Sequence, residues 1–158
     1  MMNSEILSNK PEAKSSWLLL FFPILGAIGF VDATYLTVKH FLGTPVACSL
    51  LHGCETVLTS KYASVFGIPT ALLGSFYYLT ILILAVLYLD SRKQMFLKLL
   101  AYLTPIGFIA SLCFVYLQIF VIKAICLYCM TSAATSTLLF IIGMTYLAKQ
   151  KNKSELSS

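Results

Sequence analysis

The sequence predicts an all-α integral membrane protein: a bundle of four transmembrane helices with one long extracytoplasmic loop that contains a short interfacial helix. Three observations predict it. Of 158 residues, 59% are hydrophobic and only 11% are charged, whereas soluble domains carry about 25% charged and about 45–50% apolar residues. Four apolar stretches are each long enough to cross a bilayer, which takes ~20 helical residues. Those four spans use most of the chain, so a separate soluble catalytic domain has no room beside them. The same composition excludes a disordered chain, a collagen-like chain and an ordinary soluble enzyme domain.

The elements follow in order. Residues 1–16 are polar, hold Pro11 and read as a cytoplasmic tail. Helix 1 runs from Trp17 to about Val38, broken only by Asp32, with Pro23 as a candidate kink. It is too long for a signal-peptide core, and no small-residue cleavage site follows it. Residues 39–67 form the one long loop, rich in Gly, Pro, His, Ser and Thr. Within it, ETVLTSKYASVF sets Val57, Leu58, Tyr62, Val65 and Phe66 partly on one face. That is the pattern of a short helix lying in the interface plane, with Thr59, Ser60 and Ser64 as candidate caps. Helix 2 spans Ile68 to Leu89, with Pro69 suited to its first turn. Residues 90–96 make a basic cytoplasmic turn, and helix 3 spans Phe96 to Ile122. A short connection at 123–125 leads to helix 4, from Cys126 to Leu147. The membrane domain therefore covers 17–147, and 148–158 read as a second cytoplasmic tail. No internal repeat is visible.

Orientation follows from Lys and Arg beside the spans. Lys10, Lys14, Arg92, Lys93, Lys98, Lys149, Lys151 and Lys153 lie on one side; Lys39, Lys61 and Lys123 lie on the other. Both termini are expected in the cytoplasm, with the 39–67 loop and the 123–125 turn outside. The net charge of +5 is this flanking charge. No basic stripe interleaved with aromatics points to nucleic acid.

Four of the five cysteines fall on the outer side. Cys48 and Cys54 lie in the loop as CSLLHGC, and Cys126 and Cys129 form CLYC where helix 4 begins. Compartments on that side of a membrane are usually oxidising. Two cysteines three apart on a helix share a face and can close a small disulfide ring. At a helix N-terminus, unpaired amides and the dipole favour a thiolate, and Lys123 adds a positive charge nearby. The thiolate is the species that attacks a disulfide or an oxidant. The CLYC pair also sits where a helix enters hydrocarbon, within reach of an apolar oxidant such as a quinone. The loop pair can reach both an outside partner and CLYC, as a shuttle. Three readings stand at this point: thiol–disulfide exchange, static structural disulfides in a non-enzymatic tetraspan protein, and a tetrahedral zinc site. Against zinc, two of the four cysteines would sit at the mouth of a hydrophobic helix, and no second CxxC knuckle is present. Cys113, amid helix 3, reads as a packed apolar residue.

Other residues carry weaker signals. Asp32 is an acid in the outer half of helix 1, and intramembrane acids are functional candidates by default; proton relay is the role it suggests. His40 and His52 sit in or beside the loop and can titrate near neutral pH. Glu55 beside Cys54 reads as a solvated neighbour. Phe76, Tyr77 and Tyr78 can line an aromatic pocket or simply pack.

The stretch CSLLHGCETVLTSKYASVFGIPTALLGSFYYL together with CLYCMTSA resembles the vitamin K epoxide reductase family, in its bacterial branch. The resemblance covers about residues 17–147. Its motifs are specific in combination: a loop cysteine pair, a serine six residues after the second cysteine, then CxxC opening the last helix. The DsbB family does similar chemistry but places CxxC in the first loop. The resemblance implies a four-helix bundle around a quinone, either ubiquinone or menaquinone, with no metal. It implies that Cys129 is nearest the quinone, that Cys126 exchanges with the loop, that Cys48 and Cys54 are the shuttle pair, and that Ser60 lies near the quinone. It implies disulfide-bond formation for a DsbA-like thioredoxin-fold partner at a bacterial inner membrane. Some members carry a fused thioredoxin domain; here the partner is expected to be a separate polypeptide. Animal members have a tyrosine four residues past CxxC that helps hold vitamin K. Here that position is Ala133, which weighs against reduction of a quinone epoxide as the activity.

Overall fold

The computed structural model describes residues 13–44, 46, 53–65 and 67–156. Five helices dominate it: α1 (Ala13–Leu42), α2 (Gly53–Leu58), α3 (Thr70–Ser91), α4 (Gln94–Tyr116) and α5 (Leu127–Leu156). A π-helical segment, Leu117–Ile122, continues α4. Among the described residues, four spans are long and apolar enough to cross a membrane: Leu20–Leu42, Thr70–Ser91, Gln94–Ile122 and Leu127–Asn152. Large apolar side chains such as Val31, Phe76, Ile106 and Phe120 face outward, as they do when the surrounding solvent is lipid. The protein is an all-α tetraspan bundle.

Several boundaries differ from the sequence expectation, each for a local reason. The first helix is described from Ala13, inside the expected tail, and runs on to Leu42, past the expected end at Val38. No breaker stands between Val38 and Gly43. Gly43 then ends the helix at φ +60, with its N–H donating to His40 O and that of Thr44 to Lys39 O, both at 3.3 Å. This is the paired closure of a left-handed glycine cap. Helix α5 likewise continues to Leu156 through AKQKNKSEL, because Lys, Gln and Glu are good helix formers.

The loop departs furthest from expectation. Its helix is only Gly53–Leu58, so Tyr62 and Val65 do not share its face. Thr59 Oγ1 donates to Glu55 O and Ser60 Oγ to Val57 O, both at 2.7 Å. These hydroxyls take up carbonyls at the helix end, as expected of caps. A small antiparallel pair follows, Ser64–Val65 with Ile68–Pro69, turning at Gly67 with φ +80. Pro69 thus precedes α3 rather than sitting in its first turn. Phe66, Cys48 and His52 lie outside the described residues. The basic turn contracts to Arg92 and Lys93, with Arg92 left-handed.

The main core lies between α1, α3, α4 and α5 and includes Phe22, Ile81, Leu97, Leu100 and Leu139. Gly29 lets α1 approach α3, because a Cβ there would overlap the Tyr78 ring. That ring crosses to α5, where Tyr78 Oη donates to Ser132 O at 2.8 Å and meets Thr135 Oγ1 at 3.0 Å. Cys113 is exposed on the outside of α4, not packed in the core as expected. Its apolar thiol suits a lipid-facing position.

Candidate active site

Three features converge at the loop end of the bundle: the CLYC dithiol, the short loop helix above it, and a cavity beneath it. Cys126 stands just before α5. Its carbonyl accepts from Met130 N at 3.1 Å, which makes Cys126 the N-cap residue rather than the first helical residue expected from sequence. The backbone amides of Tyr128 and Cys129 point at its sulfur, and the Cys129 thiol donates to it. A side chain at the N-cap normally accepts from these second and third amides; here the acceptor is sulfur. The Cys129 thiol, followed by the two amides, brings the Cys126 thiol down to about 7 against the opposing effect of burial. Lys123, expected to help, is not among the groups that lower it; it is exposed.

The connection before Cys126 is closed by Gln118. Lys123 is left-handed, and its N–H donates to Gln118 O, as does Ala124 N at 3.1 Å. The Gln118 side chain completes the fold: its Oε1 accepts from Cys126 N at 3.0 Å. Gln118 is 1% exposed. Sequence reading passed over it, although it is the sole amide side chain between Phe96 and Ile122, and such polar residues inside membranes are candidates by default.

Above the dithiol lies α2. Cys54, Val57 and Cys126 form one buried cluster, with Ile122, Ala124, Tyr128 and Cys129 packed against it. Cys54 is disulfide-bonded, while Cys126 and Cys129 are free thiols. The closeness depends on Gly53: a Cβ there would lie 2.6 Å from Ile125 O and 2.9 Å from Ile125 N. Loop backbone therefore rests directly on the strand of chain that carries Cys126.

Below lies a cavity of about 340 Å³, within the range of small-molecule sites, roughly 300–1,000 Å³. All four spans and the loop contribute walls. Cys129, Ser60, Asp32, Tyr77 and Gln118 line it, and most of the remaining wall is aliphatic or aromatic. Three buried side-chain polar atoms among the described residues lack a hydrogen-bond partner: Asp32 Oδ2, Tyr77 Oη and Gln118 Nε2. All three belong to residues lining this cavity. An apolar chamber with a few unpaired polar groups suits a flat dicarbonyl ring such as a quinone. Ala133 is also in the wall and offers no hydroxyl.

The structure thus brings Cys54, Cys126, Cys129, Ser60 and Asp32 to one end of the bundle. Tyr77 and Tyr78 both line the cavity, but Phe76 faces outward. His40 and Glu55 are exposed. Among the described residues, no group of three or more His, Cys, Asp or Glu side chains is arranged to hold a metal ion.

A dithiol at a helix N-terminus, between a disulfide-bearing loop and an apolar intramembrane cavity, defines a membrane thiol–disulfide oxidoreductase. The model of the vitamin K epoxide reductase family matches residues 20–144, and the chain belongs to that family. Its members are oxidoreductases that use quinones.

Proposed function

We propose that this protein oxidises a separate DsbA-like thioredoxin-fold protein and passes the electrons to a membrane quinone, driving disulfide-bond formation. The observation that carries this reading is the single buried cluster of Cys54, Val57 and Cys126, with Cys129 both at its edge and in the cavity wall. That arrangement gives the electrons a continuous route. The partner's dithiol reduces the loop pair Cys48 and Cys54. A loop thiolate then attacks Cys126, and the Cys126–Cys129 disulfide opens. Cys129 is the cavity-facing sulfur, so electrons leave the protein there. When bound, a quinone supplies the sink for two electrons and two protons.

The chain's own groups do the rest. The Cys129 thiol, and after it the N-cap amides, lower the Cys126 thiol to about 7, so that its thiolate forms near neutral pH. Ser60, Tyr77 and the apolar wall, all lining the cavity, would hold and orient a quinone ring there and exclude water. Asp32 holds a proton at its cavity-side carboxyl and relays it. On the Lys and Arg count, both termini are cytoplasmic, and Cys48, Cys54, Cys126 and Cys129 face the outer side; the membrane we propose is a bacterial inner membrane.

The test is quinone reduction by the purified protein in detergent, followed by quinone absorbance. Donors are a reduced thioredoxin-fold protein and a small dithiol. Wild type turns over with both, Cys129→Ser with neither. Cys54→Ser fails with the protein donor and retains activity with the small dithiol. Absence of quinone reduction by wild type with either donor overturns the proposal.

A further inference from the structure

Gln118 is the one buried amide at the junction of loop, dithiol and cavity, and the relay above leaves it unused. Its orientation is fixed by chemistry. Cys126 N–H can only donate, so the amide atom 3.0 Å away must be the oxygen. The NH₂ group is then turned to the other side. There it lies beside the Cys129 sulfur, yet closes no hydrogen bond of normal geometry. With both cysteines as thiols, the Cys129 proton goes to Cys126 and no negative sulfur draws the amide in. A buried donor without a partner destabilises the state that holds it. The cost is offset in any state where Cys129 is a thiolate. The π-helical turn supports this placement: it re-aims side chains along the last turn of a helix, and such bulges cluster at functional sites.

We propose that Gln118 is the positioning residue that makes Cys129 the leaving group when the loop attacks CLYC. Its oxygen anchors the backbone of the sulfur under attack, and its NH₂ receives the charge on the sulfur that departs. The inference rests on the loop-to-CLYC exchange proposed above. The step balances as a simple exchange. A loop thiolate sulfur bonds to Cys126 Sγ, the Cys126–Cys129 bond breaks, and its electron pair settles on Cys129 Sγ. No proton and no outside oxidant is needed. Exchange runs faster and further when the leaving thiolate is stabilised. One charge-assisted hydrogen bond is worth roughly a tenfold effect or more. The other ionisable groups bearing on the pair are Asp32 of α1, with Tyr128 next to Cys126 and Tyr78 near Asp32.

The full-length chain with Cys48→Ser leaves Cys54 as the single loop thiol, beside Cys126. Starting from oxidised CLYC, it should settle partly as a Cys54–Cys126 disulfide with Cys129 free. Alkylation and peptide mass spectrometry read both species. Gln118→Glu keeps an oxygen for Cys126 N–H and removes the donor. At pH 8 it should lower the trapped fraction at least tenfold relative to the Gln118 parent. As pH falls and the introduced carboxylate gains a proton, that ratio should recover. Gln118→Leu should show the loss without the recovery. A merely structural role for Gln118 would not give the pH-dependent recovery. Trapping in Gln118→Glu at pH 8 equal to that in the parent overturns the inference while leaving the relay intact. No trapped species in the Gln118 parent overturns the relay, and the inference with it.

Discussion

Gly53→Ala is the sharpest perturbation of the proposed relay, because it adds one methyl group where there is no space. The new Cβ would stand 2.6 Å from Ile125 O, and ordinary contact begins at 3.4 Å, so loop and connection must separate by about 0.8 Å. Neither atom pressed on is the tip of a flexible side chain; both Ile125 O and N are backbone. The connection cannot yield freely, since Gln118 holds it through Lys123, Ala124 and Cys126. The loop helix must therefore lift. Overpacking of this kind costs about 1–3 kcal/mol, here concentrated in the docking of α2. A misplacement near 1 Å costs on the order of 100-fold in a step that depends on contact geometry. The expected result is a fall of roughly 10- to 100-fold in turnover with a protein dithiol donor, with the bundle still folded. Cys126, fully buried in the native chain, should at the same time become reactive to a small alkylating reagent. Native turnover together with a still-protected Cys126 would refute the claim that α2 must sit on Cys126.

Four further outcomes follow from the same geometry. Thiolate formation at Cys126, read by absorbance, should have its midpoint near 7; the reactive form is then present above that pH and lost as pH falls through it. Cys129→Ala removes the first cause of that lowering, so the midpoint should move up towards the ordinary thiol value while the amides keep part of the shift. Gly107→Ala places a Cβ against Tyr77 Oη and should push that ring into the cavity, raising KM for quinone with kcat less affected. Tyr78→Phe removes the bonds that join α3 to Ser132 and Thr135 of α5; thermal unfolding in detergent should show a loss of about 1–3 kcal/mol.

The four spans, the candidate quartet of cysteines and the acid of the first helix were legible in the linear chain. Each is a local property. Twenty apolar residues must span or bury wherever they occur, and a CxxC at a helix start meets unpaired amides whatever else surrounds it. Local pattern failed where two signals competed. Over residues 55–66, apolar residues at nearly helical spacing suggest one interfacial helix, but hydroxyls at Thr59 and Ser60 and the left-handed Gly67 just beyond leave a turn of helix followed by a strand pair. Cys113 looked packed because sequence hydropathy does not distinguish lipid from protein interior.

What only the tertiary structure decided is the convergence. Cys54 and Cys126 are 72 positions apart in the chain, and no periodicity says that they share a buried cluster. Nor does it say that Asp32, Tyr77 and Gln118 each turn a polar atom without a partner into the surroundings of one cavity. Side-chain type and helical period are set by neighbours a few residues away, and so a sequence displays them. Which polar group meets which sulfur is set by how four helices pack and by glycines that let backbone touch backbone, and that is known only once the chain is folded.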